Sequence, residues 1–174
     1  MAAEFILAHS FDPITKRHYL NDNNSVFHCH HYSTLYTQLA LEFEDLGGVE
    51  QLVQVGEEVF GGILKSYFQS KGISSVQDRI SIAQQYWKEV GMGLVSISMS
   101  DEKMGTASME YSHLDEGWLK KWGGIDRPVN FFTQGFLAGA CAAIYDKPFH
   151  SYHVEETSSL VRGHDCSEFN VTLK

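Results

Sequence analysis

The chain has 174 residues, 43% apolar and 13% aromatic, with a formal net charge of −9 at pH 7. That length predicts a single domain over residues 1–174, with a core large enough to need no disulfide or metal staple. An acidic chain without a cluster of Lys and Arg excludes a phosphate-binding surface, so no nucleic-acid partner is expected.

No apolar run reaches the about 18 residues of a membrane span, and MAAEFILAHSF lacks the basic start and long apolar stretch of a signal peptide. No membrane partner is therefore expected. Cys29, Cys141 and Cys166 are scattered, with no C-x-x-C pair, which predicts reduced thiols in a cytoplasmic protein.

In chain order, residues 1–24 read as an irregular N-terminal arm: Phe5-Ile6-Leu7, then Asp12-Pro13 and the polar run Asn21-Asp22-Asn23-Asn24. Ser33 or Thr34 can cap a helix running to residue 46, with Leu35, Leu39 and Phe43 at helical spacing. Gly47-Gly48 ends it. A longer helix, 49–69, carries the apolar stripe Leu52, Val55, Val59, Phe60, Ile63, Leu64 and Tyr67. Gly56, Gly61 and Gly62 interrupt it at about 1 kcal/mol each relative to Ala. Close packing of another element there is the expected compensation. A third helix, 75–90, should bury Ile80, Ile82, Ala83, Tyr86 and Trp87.

Residues 94–99 alternate as a strand, and 106–111 return as its partner after a turn at 101–105. A short helix, 113–121, carries Trp118, and Trp122 follows it. The connector Gly123-Gly124 to Pro128 leads to a last helix, 131–145, where Phe132, Phe136 and Ile144 share a face with Gly139, Ala140 and Ala143. So little bulk lets another backbone or a ligand come close. Lys147-Pro148 stops the helix, residues 149–154 alternate as a strand, and Arg162-Gly163-His164-Asp165 turns the chain into a closing strand, 166–173. This order is α+β, with an antiparallel sheet packed against a layer of helices.

Within that C-terminal part, Gly135-Phe136-Leu137-Ala138-Gly139, Glu155-Glu156, Gly163-His164, Cys166 and Phe169 fall in a recognisable order. On these residues the chain resembles the 4-vinyl reductase, or hydrocarbon-binding, type of domain. That type is similar to the sensor domains of phenol-responsive transcription activators and to a bacteriochlorophyll-synthesis accessory protein, and in fold to vesicle-tethering subunits. The resemblance is motif-level from Phe132 to Val171 and rests on element order before that.

It implies a 4-vinyl-reductase/tethering-subunit-like fold with an apolar pocket between helices and sheet, walled in part by helix 131–145. It also implies a homodimer, for which helix 49–69 is the candidate contact. The implied function is that of a non-catalytic, stand-alone sensor or carrier of a small hydrophobic or aromatic ligand, with a link to tetrapyrrole metabolism among the roles the resemblance implies. The phenol sensors' pocket holds a His and a Trp. By placement, His113, Trp118 and Trp122 take those roles here, with Phe132 and Phe136 beside them.

The sensor branch binds zinc through three Cys and one Glu. Here Glu155 and Cys166 take two of those places, while Ser158 and Phe132 stand at the others. Two ligands do not complete a site that needs about four, so the family zinc is expected to be absent unless His164 or His153 supplies a ligand. The cofactor is otherwise unassigned.

Two further constellations remain. His28-Cys29-His30-His31, read as a strand, puts His28 and His30 on one side and Cys29 and His31 on the other. Alternate imidazoles can chelate a metal with help from His113, His150, His153 or Glu110, or can make ordinary hydrogen bonds. The alternative function is accordingly a metal- or His-dependent small-molecule enzyme. The aromatic set Tyr86, Trp87, Tyr111, His113, Trp118, Trp122, Phe131 and Phe132 can line a cavity or simply fill a core. A filled core would favour a third reading, a structural adaptor. Glu57-Glu58 and Glu155-Glu156 read as solvated or capping charges.

Overall fold

A computed structural model describes residues 3–26 and 29–174. The expected irregular arm is instead an antiparallel meander of β1 (His9–Asp12), β2 (Arg17–Leu20) and β3 (Asn23–Ser25). Asp12 builds the first turn, its carboxylate accepting from the Ile14 N–H at 2.8 Å and the Thr15 hydroxyl at 2.6 Å. Asn21 and Asp22 make the second at φ 48° and 65°, a left-handed geometry these side chains tolerate. The polar run that reads as loop is thus a tight turn plus the start of a strand.

Helix α1 (His30–Glu42) begins before the expected caps, with Cys29 as its N-cap and no side-chain cap bond. Thr34 lies inside the helix, its hydroxyl donating to the His30 carbonyl at 3.1 Å. The apolar spacing is helical, but its direction is reversed. Leu35, Leu39 and Phe43 are exposed, whereas Ser33, Thr34, Thr37 and Ala40 are buried. The small face is turned inward because α4 (His113–Trp122) crosses close to it. A methyl group on Gly117 would lie 2.8 Å from the His30 Cβ and 2.9 Å from the Thr34 Cγ2.

Helices α2 (Gly48–Lys71) and α3 (Val76–Glu89) follow. Ser75 caps α3 by accepting from the Asp78 N–H at 3.4 Å, and all five expected core residues of α3 are buried. Residues 3–6 lie along this pair: the Phe5 N–H donates to Gln85 Oε1 at 2.9 Å, the Ile6 N–H to the Tyr67 hydroxyl at 3.0 Å, and Phe5 is buried.

Helix α5 (Phe131–Ile144) is the hub. Only Phe132 and Gln134 escape full burial along it, so it is a central helix rather than the amphipathic one expected. On one side it meets α2 backbone to backbone. A methyl on Gly135 would approach the Val53 carbonyl oxygen to 2.5 Å, and one on Gly139 would collide with the Glu57 carbonyl oxygen. Gly56 and Gly61 face the same seam, but a methyl on Gly62 would meet no described residue within 4 Å, so close packing compensates two of the three glycines interrupting α2. At its C-terminus Arg79 donates to the carbonyls of Ile144 (2.8 Å) and Ala143 (3.4 Å), placing a cation where the helix end is negative.

On its other side α5 covers an antiparallel sheet in the order β4 (Gly93–Met99), β5 (Met104–Ser112), β7 (Ser167–Leu173), β6 (Tyr152–Ser158). Strand β6 starts later than expected, because His150 sits in a turn at φ 68° and donates its N–H to Glu57 Oε1 at 2.6 Å. Val95, Ile97, Ala107, Met109, Tyr152, Val154, Phe169 and Val171 face the helices and are buried. No described helix is long and apolar enough to cross a membrane.

Candidate functional site

The five residues expected to line one pocket fall in four places. Phe136 is fully buried in the main core, stacked on Trp87 with ring centroids 4.0 Å apart. Phe132 meets Tyr36 of α1 edge-on at 6.5 Å. Trp118 is buried in a small cluster with Val129 and Val161, while Trp122, 4.7 Å from it, is partly exposed. His113 joins neither tryptophan and lies 5.8 Å from His30. The 3.6-residue repeat of α4 separates His113 from Trp118, and α5 spreads its two phenylalanines over different neighbours.

The aromatic centre of the molecule is Trp87. Its indole lies among Phe60 (5.1 Å, edge-on), Phe136 and the rest of the core, and is fully buried. Among the described residues its Nε1–H has no acceptor. A buried donor without a partner costs on the order of 1–3 kcal/mol.

A second buried centre is polar and lies where the N-termini of α4 and α5 meet β6 and β7. Asn130 caps α5 by accepting from the Thr133 N–H at 3.3 Å. The Asn130 amide donates to Asp115 Oδ2 at 2.8 Å and to the Ser112 hydroxyl at 3.1 Å, and its backbone N–H donates to Glu156 Oε2 at 3.2 Å. The Ser167 hydroxyl donates to Asp115 Oδ2 at 3.3 Å. Asp115 is wholly buried and Glu156 is 6% exposed, so Glu156 is not the solvated charge expected from the pair Glu155-Glu156. Strand alternation explains the split: Glu155 faces out and Glu156 faces in.

Burial raises the Asp115 carboxyl, with hydrogen bonds from Ser112, Asn130 and Ser167 opposing it. Burial, and then the charge of Asp115, push Glu156 up to about 7. Ser159 lies close enough to pull Glu156 partly back, yet among the described residues Ser159 Oγ, Glu156 Oε1, Asp115 Oδ1 and Trp118 Nε1 make no hydrogen bond. Glu156 also lines an open groove of about 670 Å³ with Arg127, Phe131, Gln134, His153 and Glu155. Nothing in the sequence marks these residues as a group. Their one legible trace is the spacing of Ser112 and Asn130 at two helix starts.

The expected metal positions stay apart. Glu155 is opposite Asn170 on the outer face of the sheet, whereas Cys166 precedes β7. His164 Nδ1 is engaged by the Ser159 N–H at 3.1 Å and the Ser158 hydroxyl at 2.9 Å. His28 lies outside the described residues. His30 and His31 open a helix rather than continue a strand, so the alternating geometry expected of them does not arise. Their rings are 4.4 Å apart, and Cys29 Sγ lies 3.6 Å from His31 Nδ1. Among the described residues no group of three or more His, Cys, Asp or Glu side chains is arranged to hold a metal. The other acidic pair also splits. Glu57 is 2% exposed and meets His150 Nδ1 at 3.2 Å, while Glu58 is exposed. Burial pushes the Cys141 thiol up to about 12, far from a reactive thiolate.

With helices α1–α5 over a four-stranded antiparallel sheet, the architecture is that of the 4-vinyl-reductase and tethering-subunit type of α+β domain. The chain is similar to the phenol-responsive sensory domain of the transcription activator PoxR, solved with phenol: TM-score 0.76 and 14% identity, over 95% of this chain and 84% of that one. It is also similar to a vinyl-4-reductase family protein from Methanocaldococcus jannaschii: TM-score 0.57 and 18% identity, over 86% of this chain and 84% of that one. A third likeness is to a trafficking protein particle complex subunit 3 from Naegleria fowleri, covalently bound to palmitic acid: TM-score 0.56 and 14% identity, over 83% and 94%. No family model and no curated protein matches the sequence. At these identities the likeness shows the fold.

Proposed function

We propose that the protein is a small-molecule-binding module, a sensor or carrier for a single-ring aromatic compound bearing one hydrogen-bond acceptor. The observation that carries this reading is the unpartnered indole N–H of Trp87 within an apolar aromatic core. A ring with one oxygen would give that donor its acceptor while keeping the apolar contacts of Phe60 and Phe136. The core is closed around Trp87, so binding requires Phe60, which is only partly buried, to swing aside. A tetrapyrrole would need a far larger opening, which places single rings ahead of pigments. The phenol bound by one fold neighbour and the palmitic acid bound by another support an apolar ligand class for this reading.

The test is calorimetric titration with phenol and with toluene, its counterpart lacking the oxygen. Phenol should bind the wild-type chain, and Trp87→Phe should weaken phenol about tenfold, the value of roughly one hydrogen bond, while leaving toluene unchanged. Failure of phenol to bind, or equal effects on both probes, would overturn the proposal.

A second reading, an adaptor working through its helical surface in the cytoplasm, is favoured by the apolar residues exposed on α1. Tyr32, Leu35, Tyr36, Leu39 and Phe43 form one stripe, all at least 40% exposed. We propose that a second copy of the chain covers it. The enzyme reading through His28, His30 and His31 has no comparable observation in its favour.

A further inference from the structure

We infer that Asp115, Glu156 and Ser159 form an internal binding site for a hard divalent cation of the calcium or magnesium class. Two buried carboxyl groups meet here, bracketing Asn130, with Ser167 beside both. One oxygen of each carboxylate is pinned from behind by Asn130, and Ser167 adds a second bond to Asp115, leaving Asp115 Oδ1 and Glu156 Oε1 without partners among the described residues. Orientation of a ligand's second oxygen by outer hydrogen bonds is how metal carboxylates are usually held.

The hydroxyl of Ser159, wholly buried, is a third unpartnered oxygen. The unpartnered indole N–H of Trp118, one turn along α4 from Asp115, can donate to a water bound to the ion.

Charge accounting favours a cation. With a cation displacing their protons, the two carboxylates bring two negative charges, and the N-termini of α4 and α5 together offset about one. About one negative charge is left in a site whose hydrogen-bond network includes no basic side chain among the described residues. Arg127, on the adjoining groove, is occupied by Glu44 at 2.6 and 2.8 Å. An uncompensated buried charge demands a partner, which is a proton while the site is empty and the cation when it binds. The available donors are all oxygens, with no thiolate or imidazole among them, which selects hard ions over zinc or copper. Of the three residues, Glu156 is the one that borders the open groove. These are different residues from the Glu155 and Cys166 positions considered above for zinc.

The test uses the full chain stripped with EDTA. Terbium(III) should give saturable luminescence excited through tryptophan, displaced by calcium. Calcium or magnesium should raise the melting temperature at pH 8. Glu156→Gln and Asp115→Asn should each weaken terbium by more than the roughly 10–100-fold typical of an outer-shell change, whereas Glu168→Gln, an exposed carboxylate on β7, should not. Because the thermal shift is read on the wild-type chain, misfolding of a variant does not remove the test. No saturable luminescence and no cation-dependent shift would overturn the site and mean that the two carboxyls share a proton instead. Luminescence unaffected by both substitutions would overturn it equally.

Discussion

Glu156 makes the stability of the folded chain depend on pH. Its carboxyl is pushed up to about 7 from an ordinary value of 4.5, first by burial and then by Asp115. A folded-state value above the unfolded one means that the folded chain binds the proton more tightly. The contribution of this group is therefore fully present below about pH 4.5 and is lost as pH rises through about 7. The span corresponds to about 3 kcal/mol, at about 1.4 kcal/mol per pH unit. In EDTA, Glu156→Gln should thus be more stable than wild type at pH 8 and close to it at pH 5, measured by urea denaturation at both values. An equal effect of the substitution at both pH values would show that the carboxyl does not titrate in the folded state. Sequence gave no warning of this residue, because adjacent acidic side chains on a strand look alike until the sheet decides which one faces inward.

Among the elements, the seam between α2 and α5 separates two kinds of glycine. Gly139 faces the Glu57 carbonyl across the seam, so Gly139→Ala must push two helix backbones apart and should cost about 1–3 kcal/mol, like other overpacked cores. Gly62 lies in the same long helix with open space around it, and Gly62→Ala should stabilise by about 0.5–1 kcal/mol. Thermal melts of the two variants should therefore move in opposite directions. Gly56, Gly61 and Gly62 are indistinguishable in sequence, and only the position of α5 sorts them.

Elsewhere at this scale, local chemistry was legible where it was strong. Ser75 marks the start of α3, the alternation in 94–99 marks β4, and Gly163 at φ 84° marks the last turn. The N-terminal strands were not legible, because their apolar content is low and their turns are made by Asp12, Asn21 and Asp22, which also characterise loops. The direction of α1 was not legible either. A helix that buries its small face and exposes its large one carries the right period with the opposite phase.

That reversed phase has its consequence for the whole molecule. Beyond the α1 stripe, Leu46 is 82% exposed, and Val55 and Val59 of α2 are 46% and 51% exposed. Large apolar side chains exposed one at a time are ordinary, but side chains repeating at helical spacing along one helix form a patch of the kind that marks an interface. The stripe on α1 lacks acidic or basic residues between Tyr32 and Leu41, so it offers another copy of itself no repulsion. Two copies related by a two-fold axis would bring the same stripe into contact with itself, which is the commonest form of soluble oligomer. Of the α2 glycines expected to lie at such a contact, Gly56 and Gly61 pack against α5, and Gly62 faces open space among the described residues. Replacing Leu35 and Leu39 together by Lys should leave the fold intact, since neither side chain is in the core, and should halve the molecular mass measured by sedimentation equilibrium. If the wild-type chain sediments as a monomer, the apolar stripe is not a self-contact. A doubly substituted chain that remains dimeric would place the contact on another face.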